Sequence, residues 1–269
     1  MKKLLINHQW NKCASQSIKK SLKQQIKHIK LFDSHHRTED IRHFLYGDKK
    51  ISAHKGHSDQ FHLNKDFDSY KKYTVCVIRD PYNRWLSGYF QRLLKPKKKF
   101  FEKNIFEDAK EARTCSIESA MLNLQQYDFK DKNSQYINFL ENEFNIFDIN
   151  LYNSEMYGQH GYTYSNKTNT SSVFLRLEHS SDSFAKKIMN KTFGVDDWTM
   201  LRMGSNAMSD LYKNKNFTYK DFTNNIRLAP KIKHDIIEFY SNHRFCKYFF
   251  SDTEINTKIE FIEKIEEIN

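Results

Sequence analysis

The sequence predicts an α/β fold, with a central parallel sheet flanked by helices and a mainly helical second half. Three observations carry this. Residues 73–78 (YTVCVI) form a short apolar, β-branched run with no helical period, the pattern of a strand buried on both faces. Asp80 and Pro81 then supply a helix start, and Trp85, Leu86, Tyr89 and Phe90 follow at helical intervals. Residues 4–6 repeat the layout, with a strand followed by a helix over about residues 15–29, where Ile18, Leu22, Ile26 and Ile29 share one face.

Taken in order, the next elements are a second strand at residues 30–33 and a short helix at residues 39–46 that ends at Gly47. Residues 50–54 (KISAH) read as a third strand and residues 73–78 as a fourth. Strands that alternate with helices build a doubly wound parallel sheet. From residue 100 to about 145 the period is helical. Residues 156–172 are polar and hold Gly158 and Gly161, so they read as a loop or hairpin. Residues 172–177 (SVFLRL) are a further strand, with Glu178 at its end and a helix over about residues 181–191. The tail is helical over residues 231–240 and again over residues 252–268.

The chain has 269 residues with only seven Gly and three Pro, so no linker is evident and a single domain over residues 1–269 is expected. Its 22 Phe and 15 Tyr supply the volume for a sizeable core. Net charge is +11, which favours a polyanionic partner. No nucleic-acid-binding module is recognisable, so nucleic acid is not expected. Cys13, Cys76, Cys115 and Cys246 form no CxxC pair, in keeping with a reducing compartment. No apolar run is long enough to span a membrane, and MKKLLINHQW is too short in apolar residues for a signal-peptide core. A cytoplasmic location is expected, with at most peripheral contact with membrane-bound precursors.

Two anion sites are predicted. A strand, a loop carrying Lys12, and a helix opened by Ser15 and Ser17 are laid out as a phosphate-binding loop, where helix N–H groups and the helix dipole face an anion. There is no GxxxxGK[ST], so an ordinary nucleotide triphosphatase is not expected. Arg79 ends the strand at residues 73–78, and Ser87 lies two turns into the following helix. Ligands of open α/β sheets bind at such strand ends. Two phosphate sites on one sheet suit a ligand phosphorylated at both ends.

This arrangement resembles the sulfotransferases that use 3′-phosphoadenosine-5′-phosphosulfate (PAPS), and the fold it implies is P-loop-like. Their first motif binds the 5′-phosphosulfate and is matched by Lys12, Cys13, Ala14, Ser15, Gln16 and Ser17, with Ala14 where glycine is usual. Their second motif binds the 3′-phosphate and is matched by Arg79-Asp80-Pro81, Arg84 and Ser87-Gly88-Tyr89. For Arg84 the resemblance implies a cofactor contact, whereas the residue alone reads equally well as an ion-pair partner. Residues 139–152 (FLENEFNIFDINLY), Gly161-Tyr162, residues 175–178 (LRLE) and the tail 227–255, with FYSNHRFCKYFFSDTEI, resemble a bacterial family of capsular polysaccharide synthesis proteins, itself similar to the sulfotransferases.

The resemblance implies sulfuryl transfer from PAPS to a hydroxyl or amine of a glycan or glycan-lipid precursor, without a metal. Lys12 would bridge the leaving phosphate and the moving group. In the similar uronyl 2-O-sulfotransferases a Gly-His pair upstream of Arg-Asp-Pro provides the base, which implies that role for His57 after Gly56, with His54 as the neighbouring alternative. His54, His57 and His62 lack a carboxylate or cysteine at metal-ligand spacing. Acceptor contacts are expected from residues 95–103 and 156–172. The reading that competes from another class is a non-catalytic nucleotide- or polysaccharide-binding protein on the same sheet. Glu178 reads more readily as a structural ion-pair member than as a substrate contact.

Overall fold

The computed structural model describes residues 2–9, 15–35, 70–94, 106, 109–145, 151–152, 156–157, 162–167, 170–201 and 216–268. Over these the chain is α/β. It divides into two compact units, one made of Met1–Asp80 and Tyr136–Arg202, the other of Pro81–Gln135 and Met203–Asn269. The peptide between Asp80 and Pro81 is thus a crossing point from the first unit to the second.

Among the described residues the first unit holds a six-stranded sheet. Its strands are β1 (Lys2–Gln9), β2 (Lys30–His35), β3 (Tyr70–Ile78), β4 (Met156–Tyr157), β5 (Tyr162–Lys167) and β6 (Thr170–Arg176), in the order β2-β1-β3-β6-β5-β4. The pairs β1–β2, β1–β3 and β3–β6 are parallel, and β5 joins β6 and β4 antiparallel. Consecutive residues of β1, β3 and β6 are buried, Leu4 to Asn7, Tyr73 to Ile78 and Ser171 to Arg176, as parallel strands covered on both faces require. In the middle of the sheet the Thr74 and Ser172 hydroxyls hydrogen-bond each other, so two buried polar groups satisfy one another.

Helix α1 (Ser15–Gln25) follows β1 and buries Ile18, Leu22 and, just past its end, Ile26. Each such side chain contributes about 1.5–3 kcal/mol on burial. Ser21 of α1 reaches both ways: its Oγ donates to Ser17 O at 2.8 Å and accepts from Leu201 N at 2.8 Å. A 3₁₀ turn (Leu177–His179) follows β6. The helix later in this unit, Ser183–Phe193, is capped by Asp182, which accepts from Ala185 N, and ends at Gly194 with φ 68°, where a side chain would be strained.

Among the described residues the second unit is helical, apart from a two-residue parallel pair. Its elements are α2 (Pro81–Leu94), α3 (Ala109–Thr114), α4 (Ile117–Leu124) and the start of α5 (Phe129–Asn145), which continues into the first unit. With Ser183–Phe193 numbered α6, there follow α7 (Tyr219–Asn224), β7 (Arg227–Leu228), α8 (Pro230–Asn242), α9 (Arg244–Phe249), α10 (Asp252–Glu263) and β8 (Glu266–Glu267). The many aromatics form its core. Trp85 meets Phe129 at 5.6 Å, Phe129 meets Phe239 at 5.4 Å, and Tyr89 and Phe90 meet Phe222 at 5.7 and 5.8 Å between ring centroids.

The expected strand at residues 50–54 lies outside the described residues. Within the stretch 156–172, read as loop or hairpin, the described residues Tyr162–Lys167 pair antiparallel with β6 and with Met156–Tyr157, in line with their Tyr and Thr content. Helix α10 stops earlier than its apolar period suggests, because Lys233 of α8 donates to Glu263 O and Ile265 O at 3.0 and 2.9 Å and so takes up carbonyls at its end. Helices α7 and α9 escape a reading by period because six residues hold too few repeats. Cys76, Cys115 and Cys246 are buried free thiols. Among the described residues no helix is long and apolar enough to cross a membrane.

Candidate functional site

The carboxyl edge of the parallel strands is where the site builds up. Strands β1, β3 and β6 run the same way and end at Gln9, Ile78 and Arg176. Because β1 and β3 are parallel neighbours, β1 ends, ahead of the connection into α1, on the same edge as β3. That connection carries Lys12, Cys13 and Ala14, which lie outside the described residues, as do His54 and His57. Ser15 and Gln16 open α1, and Ser17 is half-buried in its first turn. That turn contains no acidic residue, so nothing there opposes an anion at the helix start.

Arg79 stands at the end of β3 and is partly exposed. The β3–β6 ladder stops at the Ile78–Arg176 pair, so the next N–H groups need other acceptors. Arg79 N–H donates to Tyr136 Oη of α5 at 3.4 Å. Asp80 N–H donates to Glu178 Oε1 of the 3₁₀ turn at 3.2 Å. Asp80 itself is almost fully buried, at 4% exposure.

Glu178 is exposed as a residue, yet its carboxyl lies close against the strand ends. Loss of solvation there is the main effect that pushes its pKa up, followed by the nearby Asp80 carboxylate; backbone N–H groups and Arg176 oppose the shift. No ion pair joins Glu178 to a described residue. The structural ion pair that the sequence favours for it is replaced by a hydrogen bond to the Arg79–Asp80 backbone.

Within the second unit, α2 sorts the rest of the second motif by helical period. Asn83, Ser87 and Gln91 occupy its half-exposed face, and the Ser87 hydroxyl has no hydrogen-bond partner among the described residues. Arg84, Trp85 and Tyr89 point inward. Arg84, 6% exposed, donates through Nη2 to Lys132 O at 2.6 Å and Asn133 Oδ1 at 2.7 Å, which ties α2 to the first turns of α5. Tyr89 Oη donates to Ala120 O and Asn123 Oδ1 of α4. Gly88 lets Tyr127 approach, since a Cβ there would sit 3.3 Å from Tyr127 Oη.

The first unit therefore brings Ser17 and Arg79 to one sheet edge, while in the second Arg84 and Tyr89 are buried and hydrogen-bonded to α5 and α4. Two contributors had no signal in the sequence that assigned them this part. Tyr136 is one apolar position among several on α5. Glu178 meets Asp80 across 98 positions of sequence, a contact visible only once β3 and β6 are paired. The fold defines an α/β protein whose parallel strands β1 and β3 end at one edge, with Arg79 just beyond β3. Compared with family models, curated proteins and solved structures, the chain matches none.

Proposed function

We propose that this chain is a PAPS-dependent sulfotransferase acting on a glycan or glycan-lipid precursor. The observation that carries the reading is the adjacency of β1 and β3, whose ends Gln9 and Ile78 share one sheet edge; in sequence Lys12–Ser17 follow the one and Arg79 the other. The two-ended nucleotide needs two anion-binding groups, and the residues fit it: an α1 first turn free of acidic residues, and a half-exposed arginine beyond β3. The matching of Lys12 to Ser17, and of Arg79, Arg84 and Ser87, to the two sulfotransferase motifs supports the same reading. The wider family implied is the P-loop-like sulfotransferase fold.

When bound, the nucleotide supplies a sulfuryl group on a phosphate leaving group. Lys12 and the α1 N–H groups would hold the 5′ end and offset charge on the leaving oxygen; removing a preorganised charge of this kind costs about 10²–10³ in rate. Arg79 and Ser87 would hold the 3′-phosphate. His57, or His54 beside it, would take the proton from the acceptor hydroxyl or amine, a contribution of about 10²–10⁴. A net charge of +11 suits both the nucleotide and an acidic acceptor.

A second reading keeps nucleotide or polysaccharide binding and drops transfer. Ala14 favours it, because a side chain stands where the family motif has glycine. Heat denaturation with adenosine 3′,5′-bisphosphate tests the shared part. At a hundredfold excess over Kd the ligand stabilises by about 2.7 kcal/mol. The shift should vanish in Arg79→Ala. Absence of any shift at millimolar ligand removes both nucleotide readings. Transfer of labelled sulfate, lost in His57→Ala while bisphosphate binding persists, separates enzyme from binding protein.

A further inference from the structure

We infer that Glu178 is a positioning residue for Arg79: its carboxyl group fixes the Arg79–Asp80 peptide, the Tyr136 hydroxyl fixes the preceding Ile78–Arg79 peptide, and together they set how tightly Arg79 holds a phosphate. This rests on the reading of Arg79 as the 3′-phosphate ligand.

The argument starts from the end of the β3–β6 ladder. Beyond Ile78 and Arg176 the strands no longer pair, yet Asp80 is buried and its N–H requires an acceptor. Glu178, two residues past Arg176, stands level with Asp80, two residues past Ile78. Its Oε1 accepts the Asp80 N–H at 3.2 Å, while Tyr136 Oη accepts the preceding N–H, that of Arg79, at 3.4 Å. Two successive N–H groups are thus held from two different elements, α5 and the 3₁₀ turn. Between them they fix the peptide plane on both sides of the Arg79 Cα, from which the guanidinium is presented.

The turn that carries Glu178 is itself anchored. Ser180 Oγ donates to Leu177 O at 2.9 Å, and the fully buried Trp198 donates through Nε1 to Ser180 O at 2.8 Å. Asp182, next along, caps α6. The charged groups that face Glu178 are Asp80 at the β3 end and Arg176 on β6. A carboxyl group without an ion-pair partner among the described residues, on a rigid turn, aimed at one backbone N–H, suits a positioning role.

The test compares wild-type protein, Glu178→Ala, Glu178→Gln and Tyr136→Phe for binding of adenosine 3′,5′-bisphosphate and of adenosine 5′-phosphate, which lacks the 3′-phosphate. The exchange rate of the Asp80 amide is followed by NMR in the same proteins. Glu178→Ala should lose about tenfold in bisphosphate affinity with little change for the monophosphate, and its Asp80 amide should exchange about tenfold faster. Glu178→Gln keeps an acceptor oxygen and should restore most of both. Tyr136→Phe should weaken bisphosphate binding in the same direction and carries the test if Glu178→Ala does not fold. An equal loss for both nucleotides, or an Asp80 amide unaffected by Glu178→Ala, overturns the proposal. Failure of the wild-type protein to bind either nucleotide sinks the sulfotransferase reading instead. The clamp is then decided by amide exchange alone: faster in Ala and protected in Gln upholds it, and no difference removes it.

Discussion

Glu178 has a consequence that reaches beyond binding. Its folded-state pKa is raised, first by desolvation and then by Asp80. The folded chain therefore holds this proton more tightly than the unfolded chain. Its contribution to stability is present below the ordinary glutamate range and is lost as pH rises through the raised folded value. The melting temperature of wild type relative to Glu178→Gln should accordingly fall as pH rises through that window. A flat difference between the two proteins across it contradicts the assignment. Arg84 belongs to the same scale. The motif suggests a ligand contact, but its position on α2 turns it into the core, where Nη2 meets Lys132 O and Asn133 Oδ1. The motif was legible in sequence. The direction of each side chain followed from helix phase against neighbours 48 and 49 positions away.

Elements begin largely where local chemistry says they should and end where tertiary contacts decide. Ser251 and Glu254 form a capping box at the start of α10, and Pro230 opens α8. The end of α10 depends on Lys233, whose side chain is 13% exposed and whose ammonium group holds Glu263 O, Ile265 O and Glu267 Oε1. Lys233→Met keeps much of the stem and removes the donor. It should cost about 1–2 kcal/mol in urea unfolding and raise exchange in the last turn of α10. A cost within error would leave the helix end to local propensity alone. The hairpin of β4, β5 and β6 was half-legible. Its Gly residues and polarity marked a turn region, but the pairing of Tyr162–Lys167 with β6 is a matter of register.

At the scale of the molecule, charge is unevenly placed. Residues 1–32 hold Lys2, Lys3, Lys12, Lys19, Lys20, Lys23, Lys27 and Lys30 and no Asp or Glu. The connection that carries Lys12 is thus set in a wholly basic stretch of chain, and Lys20, Lys23 and Lys27 are exposed along or just past α1. If this field draws the nucleotide in, bisphosphate affinity should fall steadily as salt rises from low to physiological strength, where the screening length shortens to about 8 Å. Affinity independent of salt would place the binding energy in contacts other than charge.

By itself the sequence determined the α/β class, the strand and helix that meet at Arg79-Asp80-Pro81, the motif residues, and the basic balance. These are local patterns: apolar runs, helical period, capping residues and charge counts. Only the tertiary structure decided that β1 and β3 are neighbours, that Arg84 and Tyr89 are buried against α5 and α4, and that Glu178 and Tyr136 hold the backbone of Arg79 and Asp80. The physical reason is sequence distance. Asp80 meets Glu178 across 98 residues and Arg79 meets Tyr136 across 57. No local propensity encodes such a meeting; it exists only once β3 and β6 share a ladder and α5 has packed at its end.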